Sequence, residues 1–146
     1  MNLVEDSATA RQGIRCLESA LTTDRVLFRF YERLLRKQIS DAHAVLARDA
    51  ISRGDLVKAG EHMESGLARD ASRPAWETIK PEIAAMAMEH LDRARGGLDV
   101  EPARARRMLK QVVAAAPAGS PAWEEASVLL EALDRDTTAP AVPAEF

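Results

Sequence analysis

Cysteine, aromatic residues and long apolar runs are all scarce in this chain, and each scarcity excludes something. Cys16 is the sole cysteine, so neither an internal disulfide framework nor a Cys-x-x-Cys metal clip is available, and a reducing compartment suits the chain. One tyrosine and three phenylalanines, with few clustered β-branched residues, leave little from which sheets are built. No stretch approaches the roughly eighteen apolar residues of a membrane span. The first residues, Met1 to Thr9, carry Glu5 and Asp6 and no leader-like apolar core. The expectation is a soluble, cytoplasmic protein with no membrane partner. Charge of one sign is lacking too. With 20 Lys and Arg against 23 Asp and Glu the net charge is −3, which gives no bulk attraction to nucleic acid or an anionic surface, so either partner would need a local basic patch.

What is abundant is alanine, leucine, arginine and glutamate, the strong helix formers. The 146 residues suffice for one domain with its own core, and the expected fold class is all-α. Sixteen arginines beside four lysines and 27 alanines resemble the composition of proteins from high-GC bacteria.

The tetrapeptide Pro-Ala-Trp-Glu occurs twice, at Pro74 to Glu77 and Pro121 to Glu124, and holds both tryptophans. Laying His43 to Glu77 over His90 to Glu124, a shift of 47 residues, gives nine identities in 35 positions, among them His43/His90, Ala47/Ala94 and Arg48/Arg95. Between the anchors a shift of 46 fits better, placing Ala59 on Ala105 and Met63 on Leu109. A period of this size without strand patterning is the mark of stacked helical hairpins. The alternative is two unrelated helix starts sharing the same proline-first chemistry.

Apolar spacing and capping signals divide the chain into about six or seven helices. Ile14, Leu17 and Leu21 define a first helix beginning at a Ser7 cap. Thr22, Thr23 and Asp24 offer caps for a second, with Val26, Leu27, Phe30, Tyr31, Leu34 and Leu35 on one face. Residues 24–53 contain no Gly or Pro and read either as one long helix or, the favoured reading, as two with Ser40 and Asp41 capping the second. Gly54 and Asp55 are the clearest stop and restart. Past them Leu56, Ala59, Gly60, Met63, Gly66 and Leu67 form an inward face whose small residues admit a close neighbour. Pro74 and Pro81 bracket a short turn, after which a helix capped by Thr78 carries Ile83, Met86, Ala87, His90, Leu91 and Ala94 and ends at Gly96 and Gly97. Pro102 starts the next, with Ala105, Leu109, Val112 and Val113. Ser120 and Pro121 open the last, with Trp123, Ala126, Leu129, Leu130 and Leu133. The organisation expected is an N-terminal helical pair at 1–39, helical repeats with a closing helix at 40–136, and a proline-bearing disordered tail at 137–146.

From Ser40 to Arg73 the chain resembles a tetratricopeptide repeat. Leu46 and Ala47 are a large residue followed by a small one, Gly54 and Asp55 fall at the inter-helix turn, and Ala59 falls at the small contact position of the second helix. Ala50 stands where that family prefers tyrosine and Ala71 where it prefers proline, and the period of 47 departs from the family's roughly 34. The resemblance implies a short α-solenoid with a grooved surface that binds peptides or helices of partner proteins.

No catalytic, cofactor or metal signature accompanies these patterns. His43, His62 and His90 lack metal-ligand spacing, and Gly96-Gly97 is followed by no phosphate-binding Gly-Lys-Ser or Gly-Lys-Thr. Arg25, Arg29, Arg33, Arg36 and Lys37 recur at helical spacing as a basic stripe, which is either a solvated face or a dock for an acidic peptide and, less so, for a phosphate backbone. Arg104, Arg106, Arg107 and Lys110 form a second cluster open to the same two readings. Trp76 and Trp123, with Leu46, Ala47, Ala59, Met63 and Leu109, are the expected repeat-packing residues; exposed tryptophans would instead mark a partner hot spot. The function expected is a non-enzymatic protein-binding module, an adaptor or small chaperone, with a structural subunit of a homo- or hetero-oligomer as the alternative and a nucleic-acid binder behind both.

Overall fold

The structure, a computed structural model, describes residues 7–27 and 31–138, without the side chains of 24–27 and 136–138. Six α-helices and no strand occur among the described residues: α1 (Ser7–Leu27), α2 (Glu32–Ser52), α3 (Leu56–Asp70), α4 (Ala75–Gly97), α5 (Pro102–Ala115) and α6 (Pro121–Thr138).

Where a helix boundary is written in local chemistry, it falls where the sequence places it. Gly54 adopts φ +72, the left-handed conformation that costs glycine least, and the next residue, Asp55, caps α3 by accepting from the Lys58 amide at 3.0 Å. Pro102 and Pro121 are the first residues of α5 and α6, where a missing amide costs no intrahelical bond.

Four boundaries differ from expectation. α1 begins with Ser7 as a helical residue and runs through Thr22 and Thr23, whose hydroxyls donate back to the carbonyls of Glu18 and Ser19 at 2.9 and 3.0 Å and cap nothing. α2 is continuous across Ser40 and Asp41, so no helix boundary separates 39 from 40, and α2 instead begins at Glu32, after the non-helical Tyr31. Both side chains are drawn into tertiary bonds: Ser40 into the core, and Asp41 into a fork with Arg73 at 2.7 and 2.8 Å. α4 runs unbroken from Ala75 with Pro81 inside it. The bond that Pro81 cannot donate would have gone to Glu77, and both residues are exposed, while Trp76, Ile79 and Ile83 on the other side are buried at 0–1 % exposure and hold the segment down. α6 extends to Thr138, which leaves only 139–146 of the expected tail outside the described residues.

α2, α3 and α4 each pack against the two helices that follow and α5 packs against α6, while α1 packs closely against α2 and reaches α3 only through the Glu18–Arg69 ion pair. The main core accordingly spans α2 to α6 and includes Ala47, Ala59, Met63, Trp76, Ile83, Leu91, Leu109 and Ala126. α1 adds two small satellites, Ala10 against Ala42 and Leu46, and Leu17 and Leu21 against Ile39. Close approach depends on α3's glycines. A Cβ on Gly60 would lie 2.6 Å from the Ala115 Cα of α5, and one on Gly66 would overlap the Trp76 ring.

Candidate functional site

Trp76 is 1 % exposed. Its Nε1–H donates to Ser40 Oγ at 2.9 Å, and the Ser40 hydroxyl donates on to the Asp70 carbonyl at 2.9 Å. One relay thereby ties α4, α2 and the C-terminal end of α3, with every buried side-chain polar atom satisfied among the described residues. Trp123, its repeat counterpart, is half-buried against the main core. The first tryptophan is therefore a packing anchor, and the second is one on its inner side only. The other expected packing residues, Leu46, Ala47, Ala59, Met63 and Leu109, are all buried, Leu46 beneath α1 and the rest in the main core.

The repeat-related histidines behave differently from each other. His90 donates from Nδ1 to the Met86 carbonyl of its own helix at 3.0 Å. His43 on α2 instead meets His62 on α3, Nδ1 to Nδ1 at 3.3 Å, so one ring donates there and the other accepts. Burial, then the neighbouring His62 and Arg69, push the His43 pKa down to about 4, and burial lowers that of His62. The pair is neutral near pH 7. Beside it a crevice of about 540 Å³ opens between α1 and α3, walled by Ile14, Glu18, Glu64 and Arg69 and bridged by the Arg69–Glu18 ion pair at 3.0 Å. No group of three or more His, Cys, Asp or Glu side chains that could hold a metal occurs among the described residues.

The structure does not assemble the Arg25 to Lys37 stripe on one helix. Arg25 falls in the last turn of α1 with its side chain outside the described residues, Arg29 lies outside them altogether, and Arg33, Arg36 and Lys37 belong to the start of α2. Arg33 is exposed, Lys37 is half-buried, and Arg36 is bound to Glu32 through Nε and Nη2 at 2.9 and 2.7 Å. Of the apolar face expected with the stripe, Tyr31 and Leu34 are 61 % and 52 % exposed, because α2 turns its Ile39, Ala42 and Leu46 side toward α1 and the core. Val26, Leu27 and Phe30 fall outside what is described of the side chains.

The second basic cluster does form one surface. Arg104, Arg107 and Lys110 are exposed on α5, and Arg106 turns aside to reach the Leu133 carbonyl at 3.0 Å and Asp134 at 2.7 Å on α6. Next to them, where α4 gives way to α5, a groove of about 380 Å³ runs between Arg93 and Arg104 over Gly96, Gly97, Val100 and Met108. Val100 is 80 % exposed. Spacing alone could point to the arginines, but Val100 and Met108 join them only through the packing of α4 on α5. No helix is long and apolar enough to cross a membrane among the described residues. No protein-family model, no curated protein and no solved structure matches the chain.

Proposed function

We propose that the chain is a non-enzymatic protein-interaction module, an adaptor or small chaperone of the tetratricopeptide-like class that holds a peptide or helix of a partner protein. In this reading α2 with α3 and α4 with α5 are two stacked hairpins, α6 closes the stack, and α1 precedes it. The observation that carries the proposal is the order of contacts, in which α2, α3 and α4 each pack on the next helix and the next but one, and α5 packs on α6. Stacking of that kind builds a core between layers and leaves the outer faces of the helices free for partners.

Capture with the full chain from the cells that express it, followed by reconstitution from purified components, tests the reading. A saturable complex of defined stoichiometry is the expected result. Failure of every captured protein to re-form a complex would overturn it.

A second reading, a structural subunit of a larger homo- or hetero-oligomer, is favoured by the exposed Leu34 and Val128 and by Leu129, Leu130 and Leu133, which are only half-buried on the final helix. A monomeric mass for the isolated chain in light scattering, unchanged with concentration, counts against its homo-oligomeric form. Nucleic-acid binding ranks behind both, because the net charge of −3 offers no general attraction to phosphate.

A further inference from the structure

Among the described residues α5 is the one helix whose formal charges all share a sign: Arg104, Arg106, Arg107 and Lys110, with no carboxylate. Its buried side is Ala105, Leu109, Val112 and Ala115, so helical geometry turns Arg107 and Lys110 directly outward, with Arg104 at their flank. Arg107 and Lys110 are exposed and form no ion pair among the described residues. Arg104 has only Glu101, 3.3 Å away, and both side chains are more than half exposed at 67 % and 56 %, so that pair contributes little and yields readily. The adjoining groove supplies what a merely solvated basic face lacks. Its floor is Gly96, Gly97, Val100 and Met108, and a Cβ on Gly96 would meet nothing within 4 Å, so the opening is clear.

We propose that this groove and the outer face of α5 together form the docking surface for an acidic segment of a partner protein, one that alternates carboxylates with aliphatic side chains. The inference rests on the protein-binding reading above and names its surface and partner chemistry. Carboxylates would lie along Arg104, Arg107 and Lys110, and an aliphatic side chain would cover Val100 and Met108. The requirement for both argues for a peptide over a phosphate backbone. No aromatic side chain lines the groove on which a base could stack.

Amide-shift mapping of the full ¹⁵N-labelled chain tests the assignment, with a synthetic peptide alternating glutamate and leucine as one probe and an oligothymidylate as the other, both at low salt. The peptide should shift the amides of Val100, Arg104, Arg107 and Lys110. The double reversal Arg107→Glu with Lys110→Glu should weaken it by about tenfold or more, since like charges then face each other across the contact. Val100→Ser should weaken it several-fold without altering the spectrum elsewhere. Peptide shifts confined to Arg33, Arg36 and Lys37 would overturn this site while leaving the binding-module reading intact. The site is equally refuted if neither probe shifts α5, if the double reversal leaves peptide binding unchanged, or if the oligothymidylate binds this face more tightly than the peptide and ignores Val100→Ser. Self-association abolished by the double reversal, with no peptide shift, would assign the face to a second copy and refute it as well.

Discussion

Gly66 and Gly96 sit in helices where glycine is intrinsically unfavourable, yet their surroundings predict opposite consequences for the same substitution. A methyl at Gly66 would overlap the Trp76 ring and come within 3.0 Å of the His43 Cβ, whereas one at Gly96 meets nothing within 4 Å. Gly66→Ala is therefore expected to destabilise the protein by about 1–3 kcal/mol through overpacking, and Gly96→Ala to stabilise it by about 0.5–1 kcal/mol through helix propensity. Urea unfolding of the two variants checks both signs at once. Ser40 offers a second test at the same scale. Removing its hydroxyl leaves the buried Trp76 indole N–H and the Asp70 carbonyl without a partner, so Ser40→Ala should cost about 1–3 kcal/mol, read as a lower urea midpoint, while Trp76 emission in the native state stays blue-shifted because the ring remains enclosed.

The pairing of α2 with α3 carries the protein's clearest expected response to pH. His43 has its pKa pushed down to about 4 from an ordinary 6.5, first by burial and then by His62 and Arg69. The unfolded chain therefore takes up the proton first on acidification, so the stability is complete above pH 6.5 and is lost as pH falls toward 4. The loss is on the order of 2 kcal/mol from His43, after discounting for the crevice that opens beside it. Denaturation midpoints taken across this range should fall with pH in the wild type and respond much less in His43→Gln. In α4 the expected effect is a gain: Pro81→Ala restores an amide donor inside a helix and should stabilise the protein by about 1–3 kcal/mol, again read from urea midpoints. Pro81 also marks where sequence legibility ends. Gly54 with Asp55, Pro102 and Pro121 act on their immediate neighbours, so their spacing sufficed to locate the end of α2 and the starts of α3, α5 and α6. Ser40, Asp41 and Pro81 look like boundaries on the same local grounds, but bonds to Trp76, Asp70 and Arg73, and the burial of Ile79 and Ile83, override them.

For the molecule as a whole, the doubled Pro-Ala-Trp-Glu motif stands at a helix start in both copies, at α6 as the sequence placed it and at α4 in place of the expected Thr78 cap, each following a pair of helices that pack on one another. It did not foretell the difference between a sealed Trp76 and a half-covered Trp123, because burial depends on how many helices follow, and α6 has none after it among the described residues. The same limit applies to surfaces. The basic residues of α5 were legible from spacing, and their apolar neighbours Val100 and Met108 were not, since a groove between two helices has no signature within either one. The proposed role, a scaffold for contacts with a partner protein, rests on this helical fold with its buried interior and exposed, charged margin. It is tested most directly by placing a photocrosslinking side chain at Lys110 of the full protein in the cells that express it, with a second at Ala87, buried at 0 % exposure, as the silent control. A discrete crosslink from Lys110 to one partner protein, and none from Ala87, is the expected result. Crosslinks from Lys110 to nucleic acid or to copies of the chain alone would contradict it.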